Sequence, residues 1–133
     1  MSTATATKTA RTLIAAATSV AAGTPSRAAI DLKTTFGGIL TVKVTNGGTG
    51  PTAAASVTVA VAHNASLPAT GALGTDWKLF QQVTHVATAN AIGEWVFAIP
   101  QGVMGLQVEI SGNTAQAVTA EAFLSEMTSI SNA

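Results

Sequence analysis

The stretch EWVFAIPQGVMGLQVEISGNTAQAVTAEAFL, Glu94 to Leu124, decides the fold class. It reads as three short strands parted by two turns, one at the proline-glycine run after Ile99 and one at Gly112-Asn113. Trp95, Phe97 and Ile99 recur at every second residue, as do Leu106, Val108 and Ile110, with Gln107 and Glu109 between them. Period two is the mark of a strand that buries one face.

The same rhythm extends back through the chain. In GGILTVKVTNGG, Leu40, Val42 and Val44 face one way while Thr41, Lys43 and Thr45 face the other. ASVTVAVAH turns Val57, Val59 and Val61 inward, AAIDLKTT forms a short strand, and WKLFQQVTHVA begins another at Trp77. Arg11 to Gly23 is rich enough in alanine for a helix, but Thr18, Ser19 and Val20 favour a strand. Seven or eight strands at 8–12-residue spacing, with no βαβ pattern, predict an all-β domain: a single antiparallel β-sandwich, jelly-roll-like.

At 133 residues the chain is one domain. The division expected within it is an extended N-terminal arm over residues 1–27 and a β-sandwich over residues 28–133. STATATKTA alternates threonine with small or basic residues and has almost nothing of its own to bury. Leu13, Ile14 and Val20 are the sizeable apolar side chains of that segment, and they are the expected assembly anchors. Lys8 to Ala28 imitates a secretory leader, but Thr18 and Ser19 interrupt a weakly hydrophobic run, so it is read as part of the arm.

Charge is the compositional anomaly. Charged residues make up 9% of the chain and balance to zero, against about 25% in an average soluble domain. Alanine and threonine together supply about a third of the residues. Such a surface is poorly protected against association, and its simplest use is to be covered by other subunits. No basic patch is dense enough to follow a phosphate backbone, so nucleic acid is not an expected partner. No apolar run approaches the ~18 residues of a spanning helix, so neither is a membrane. The chain contains no cysteine, which removes disulfide frameworks and thiolate metal sites.

The chain carries no catalytic signature. His63 and His85 are the two imidazoles; with Asp76 or Glu94 they could compose a zinc site, but no HxH or HxxxH spacing supports one. His63 continues the parity of Val57, Val59 and Val61, and His85 shares that of Leu79 and Val83, so both read as capped or solvated rim histidines. There is no GxSxG elbow and no P-loop, and five of the six carboxylates alternate with apolar neighbours in strands. The expectation is no catalytic, metal or cofactor site, and no enzyme. Trp77, beside the Asn64–Asp76 loop, is the one aromatic that could face a ligand such as a glycan, although Trp95 and Phe97 belong to the core.

SRAAIDLKTTFGGILTVKVTNGGTGP and IPQGVMGLQVEISGNTAQAVTAEAFLS, together about half the chain, resemble stretches of small virion structural proteins of tailed bacteriophages. The resemblance implies a capsid decoration (cement) protein, or a neck, tail or baseplate component. It implies as partners the major capsid protein and further copies of the chain, commonly as a trimer, and a place in the virion. A glycan-binding sandwich centred on Trp77 is the alternative.

Overall fold

The computed structural model describes residues 4–132, and among them are eight strands and no helix. They are β1 (Ala4–Val20), β2 (Ser26–Asp31), β3 (Gly38–Asn46) and β4 (Ser56–Ala62). The second half supplies β5 (Lys78–Thr84), β6 (Ile92–Ile99), β7 (Gly105–Ser111) and β8 (Val118–Asn132). A front sheet has the order β1-β8-β3-β6 and a back sheet the order β2-β7-β4-β5, every pairing antiparallel. This interleaving of two four-stranded sheets is the jelly roll, as the alternation of the sequence predicts.

The core lies between the sheets and is built by the inward parity of each strand. Leu40, Val42, Val44, Val57, Val59, Leu106, Val108, Ile110 and Leu124 are fully buried. Their neighbours Thr41, Lys43 and Thr45 on β3 are half-buried and face out. Gly37 holds the entry to β3 at φ 69, where a Cβ would run into the backbone of Ile99 and Pro100.

Three departures from the sequence reading matter for function. The first concerns the arm. β1 is continuous and pairs with β8 from Ala4↔Asn132 to Val20↔Val118, with three register breaks. Ile14 and Val20 are buried in the core, and Leu13 packs against it. The expected boundary between residues 27 and 28 is therefore redrawn: β1 is an integral edge strand, and β2 already begins at Ser26. A two-strand ribbon, in which Ser129–Asn132 pairs with Ala4–Thr7, does extend beyond the front sheet. Residues 1–3 of the expected arm lie outside the described residues.

The second departure is β4, where Thr58, Ala60 and Ala62 are buried as well as Val57, Val59 and Val61. Ala60 and Ala62 are covered because the 63–77 loop folds back and lays Trp77 on them, and Thr58 takes a hydrogen bond from Gln82. The third is β5. Val59 pairs with Gln81 and Ala60 with Leu79, so Phe80 is an extra residue in a bulge. The bulge breaks the parity that would place Leu79 with Val83 and His85: Leu79 is exposed, Val83 half-buried and His85 buried.

Candidate functional site

The two histidines lie at opposite ends of the β4–β5 hairpin. Ser56 pairs with Thr84 beside His85, and Val61 pairs with Lys78 at the end where His63 follows β4. At about 3.4 Å per residue the imidazoles are separated by roughly 20 Å, so they do not converge on one ion. Among the described residues no group of three or more His, Asp or Glu side chains gathers. His63 is exposed, and Asp76 accepts a 2.8 Å hydrogen bond from Asn64 that closes the base of the loop. His85 is buried, with Nε2 3.1 Å from the Ala91 carbonyl and its ring edge-on to Trp95 at 5.6 Å. Gly93 leaves the space these two rings occupy, since a Cβ there would meet both. His63→Gln is expected to leave stability unchanged, and His85→Gln to lower it by about 1 kcal/mol through the lost ring contact. Urea denaturation of each variant checks both.

Trp77 is 2% exposed, and this overturns its reading as a ligand-facing aromatic. Its indole packs on Ala60 and Ala62 with Ala29 alongside, and Nε1 donates a 2.8 Å hydrogen bond to the Ala69 carbonyl. Gln107 holds the same loop from β7. Its Oε1 accepts from the Gly71 amide at 2.9 Å and its Nε2 donates to the Gly71 carbonyl at 2.8 Å. Lys33 Nζ donates to the Ala65 carbonyl at 2.6 Å. The loop is thus a lid belonging to the back sheet.

That lid makes the two outer faces of the sandwich unlike. The part of the back sheet it leaves open is mainly polar and internally bonded, with Leu79 at the β5 edge its exposed apolar side chain. Arg27 pairs with Glu109 at 2.6 Å, Ser111 donates to Glu109 at 3.0 Å, and Gln82 donates to Thr58 at 3.1 Å. Among the described residues no segment covers the front sheet. The register places Ile39, Ala98 and Ser125 in one row across it, and Thr41, Val96 and Phe123 in the next. Phe36, Ile39, Val96 and Ile130 are 38%, 44%, 65% and 47% exposed. A groove of about 380 Å³ runs between Lys8, Phe36, Ile39, Ala98 and Met127 at the foot of the ribbon. At the other end of this face Lys43 stands opposite Glu94 on one side and Glu121 on the other. The face is an apolar field with a small polar margin of one lysine and two glutamates.

A second apolar region follows the open side of the sandwich, where β5 and β6 are the free edges. Leu79, Val86 and Ile92 are 54%, 53% and 60% exposed there. A groove of about 350 Å³ between the edges is lined by Phe80, Val83, Trp95 and Phe97.

The sequence-predicted anchors Leu13, Ile14 and Val20 contribute to neither surface; their partners are inside the fold. The residues that do form the surfaces carry a signal in WVFAI, which is apolar at both parities. Trp95, Phe97 and Ile99 take the core, leaving Val96 and Ala98 with no interior place.

No protein-family model matches the chain, and no curated protein sequence matches it. Among solved structures it is similar to the K3 cleaved adhesin domain of Lys-gingipain from Porphyromonas gingivalis, with 12% identity, a TM-score of 0.51, and coverage of 89% of this chain and 74% of that one. It is similar also to the SPBc2 prophage-derived protein YomS, with 21% identity, a TM-score of 0.46 and coverage of 96% of both chains. A family 16 carbohydrate binding module follows at 11% identity and a TM-score of 0.44, over 86% of this chain and 74% of that one. The likeness to the adhesin domain is one of fold.

Proposed function

We propose that this chain is a non-enzymatic structural protein of a tailed-phage virion, a capsid decoration protein that lays the outer face of its front sheet on the shell and associates with copies of itself. The observation that carries the reading is the inequality of the two outer faces. The lid and hydrogen-bonded pairs cover most of the back sheet, leaving Leu67, Leu73 and Leu79 exposed around them, whereas the front sheet leaves Phe36, Ile39, Val96 and Ile130 facing out beside one continuous groove. A charged fraction of 9% and a net charge of zero support it, because no field opposes approach to a large neutral surface. The resemblance of two long stretches to virion structural proteins supplies the setting. Covering apolar surface contributes about 25 cal/mol per Å², and repetition over a shell allows each contact to be modest. The glycan-binding alternative loses its aromatic, since Trp77 is inside the fold.

The test is sedimentation of the purified protein with purified shells and, separately, tails of the phage that encodes it. Saturable co-sedimentation with shells is the expected result. Binding to tails alone would move the protein to the tail, and binding to neither would overturn the reading.

A further inference from the structure

We propose that β6 is the strand through which two copies of this chain pair, antiparallel and about a twofold axis at Val96, joining two front sheets into one of eight strands. The proposal deepens the self-association in the reading above and rests on it.

The sandwich has four edge strands, β1, β6, β2 and β5, and an unguarded edge is a template for another strand. Three of them carry devices against pairing. β1 is broken by three register shifts, has Ala17 at φ 59, and bears Lys8 and Arg11. β2 is six residues long and includes Arg27 and Asp31. β5 is bulged at Phe80 and presents Lys78, Gln81 and Gln82. β6 has none of these. It runs eight residues, pairs with β3 without a register break, and carries one charge, Glu94. Ile92 and Val96 on its outer parity are 60% and 65% exposed.

A second copy of β6 fits this edge. An antiparallel pair about a twofold axis matches each free amide and carbonyl with its equivalent, and it closes after two copies. Continuity of the faces requires outward residues to oppose outward residues, so the paired numbers must sum to an even value. Charge and the backbone then select among the remaining registers, an axis at Phe97 being excluded because it sets Glu94 opposite Pro100, which has no amide to donate. An axis at Glu94 sets the two carboxylates directly opposite each other. An axis at Trp95 leaves them diagonal, about 8 Å apart, within a physiological Debye length. An axis at Val96 sets Glu94 opposite Ala98 of the partner subunit and separates the carboxylates by about 14 Å. It also places Trp95 opposite Phe97 of the partner subunit, above the groove lined by Phe80 and Val83. Seven paired residues with this groove bury roughly 1,000 Å² in total, the low end for a specific interface. An interface of this size suits a weak, reversible dimer.

The native sequence has no cysteine, so single cysteines report on the register directly. Opposed Cα atoms in an antiparallel pair are about 4.5 or 5.5 Å apart, within the span of a disulfide. Under mild oxidation Val96→Cys is expected to convert mostly to covalent dimer. Glu94→Cys alone and Ala98→Cys alone should stay monomeric, and their mixture should give the heterodimer. All three positions are exposed, so none of these changes threatens the fold. Sedimentation equilibrium of the native protein should show a monomer–dimer equilibrium. Failure of Val96→Cys to cross-link, equal cross-linking at Glu94 alone, or a trimer by sedimentation would each overturn the pairing. Shell co-sedimentation of the native protein is scored separately: its loss with the dimer intact counts against the decoration role, and its retention without a dimer counts against the β6 contact.

Discussion

Removing residues 1–22 is expected to leave a chain that no longer folds cooperatively. β1 covers the edge of β8 along its whole length, and its loss strips Ile14, 4% exposed, and Val20, 1% exposed, from the core. Large-to-small changes at such sites cost about 2–5 kcal/mol for isoleucine. Arg11 would go as well, leaving the Glu126 carboxylate, 1% exposed, without the guanidinium that meets it at 3.2 Å. Orphaning a buried charge costs about 3–5 kcal/mol, somewhat less here because Arg11 itself is solvated. Asn113 would lose the Val20 carbonyl to which its amide donates at 3.1 Å. The sum approaches about 10 kcal/mol, which is the whole stability of an ordinary domain. Circular dichroism should show no sigmoidal thermal transition. Removal of residues 1–7 alone, which takes only the β1 side of the ribbon, should leave a cooperative transition. A folded product from the longer deletion would restore the separable arm.

Trp77→Ala is expected to destabilise the protein by about 3–5 kcal/mol, the cost of truncating a fully buried aromatic. The indole is what keeps Ala60 and Ala62, each 1% exposed, out of water, and its Nε1 anchors Ala69. The defect should be local in character: hydrogen exchange should rise through residues 64–76 more than in β3 or β8. Trp77→Phe preserves most of the packing and loses the hydrogen bond, so it should cost about 1 kcal/mol. Urea denaturation separates the two variants. Shell binding by Trp77→Phe should equal that of the native protein, because the lid lies on the face away from the proposed contact. Loss of a carbohydrate affinity in that variant would revive the glycan-binding reading instead.

How much of this was legible in the sequence depends on how local the cause is. The strands and their inward faces were, because period-two alternation in β3, β4 and β7 states the burial of each residue directly. The jelly-roll class followed from strand number and spacing. The role of β1 was not legible: Ala4 to Thr12 buries little, and its structure comes from pairing with β8, more than a hundred residues away in the chain. The parity of Leu79 was hidden by the bulge at Phe80, which has no glycine to mark it. The burial of Trp77 depends on Gln107 clamping Gly71 across 36 residues, a contact no local pattern announces. The docking face was half visible, since WVFAI has more apolar side chains than one face can bury. Recognising it as uncovered required knowing that the lid goes to the other sheet.

The central claim is that the front sheet, and not the back, is the docking face. The direct measurement is shell affinity, by co-sedimentation, of two surface variants with matched added charge. Ile39→Asp with Ile130→Asp alters the front face, where both side chains are exposed; Gln82→Asp with Thr84→Asp alters the back face, at residues that are also exposed. The account predicts that the front-face variant loses affinity by about 100-fold or more, equivalent to roughly 3 kcal/mol, and that the back-face variant stays within about threefold of the native protein. Equal affinities for the two variants, or a loss confined to the back-face variant, would contradict it.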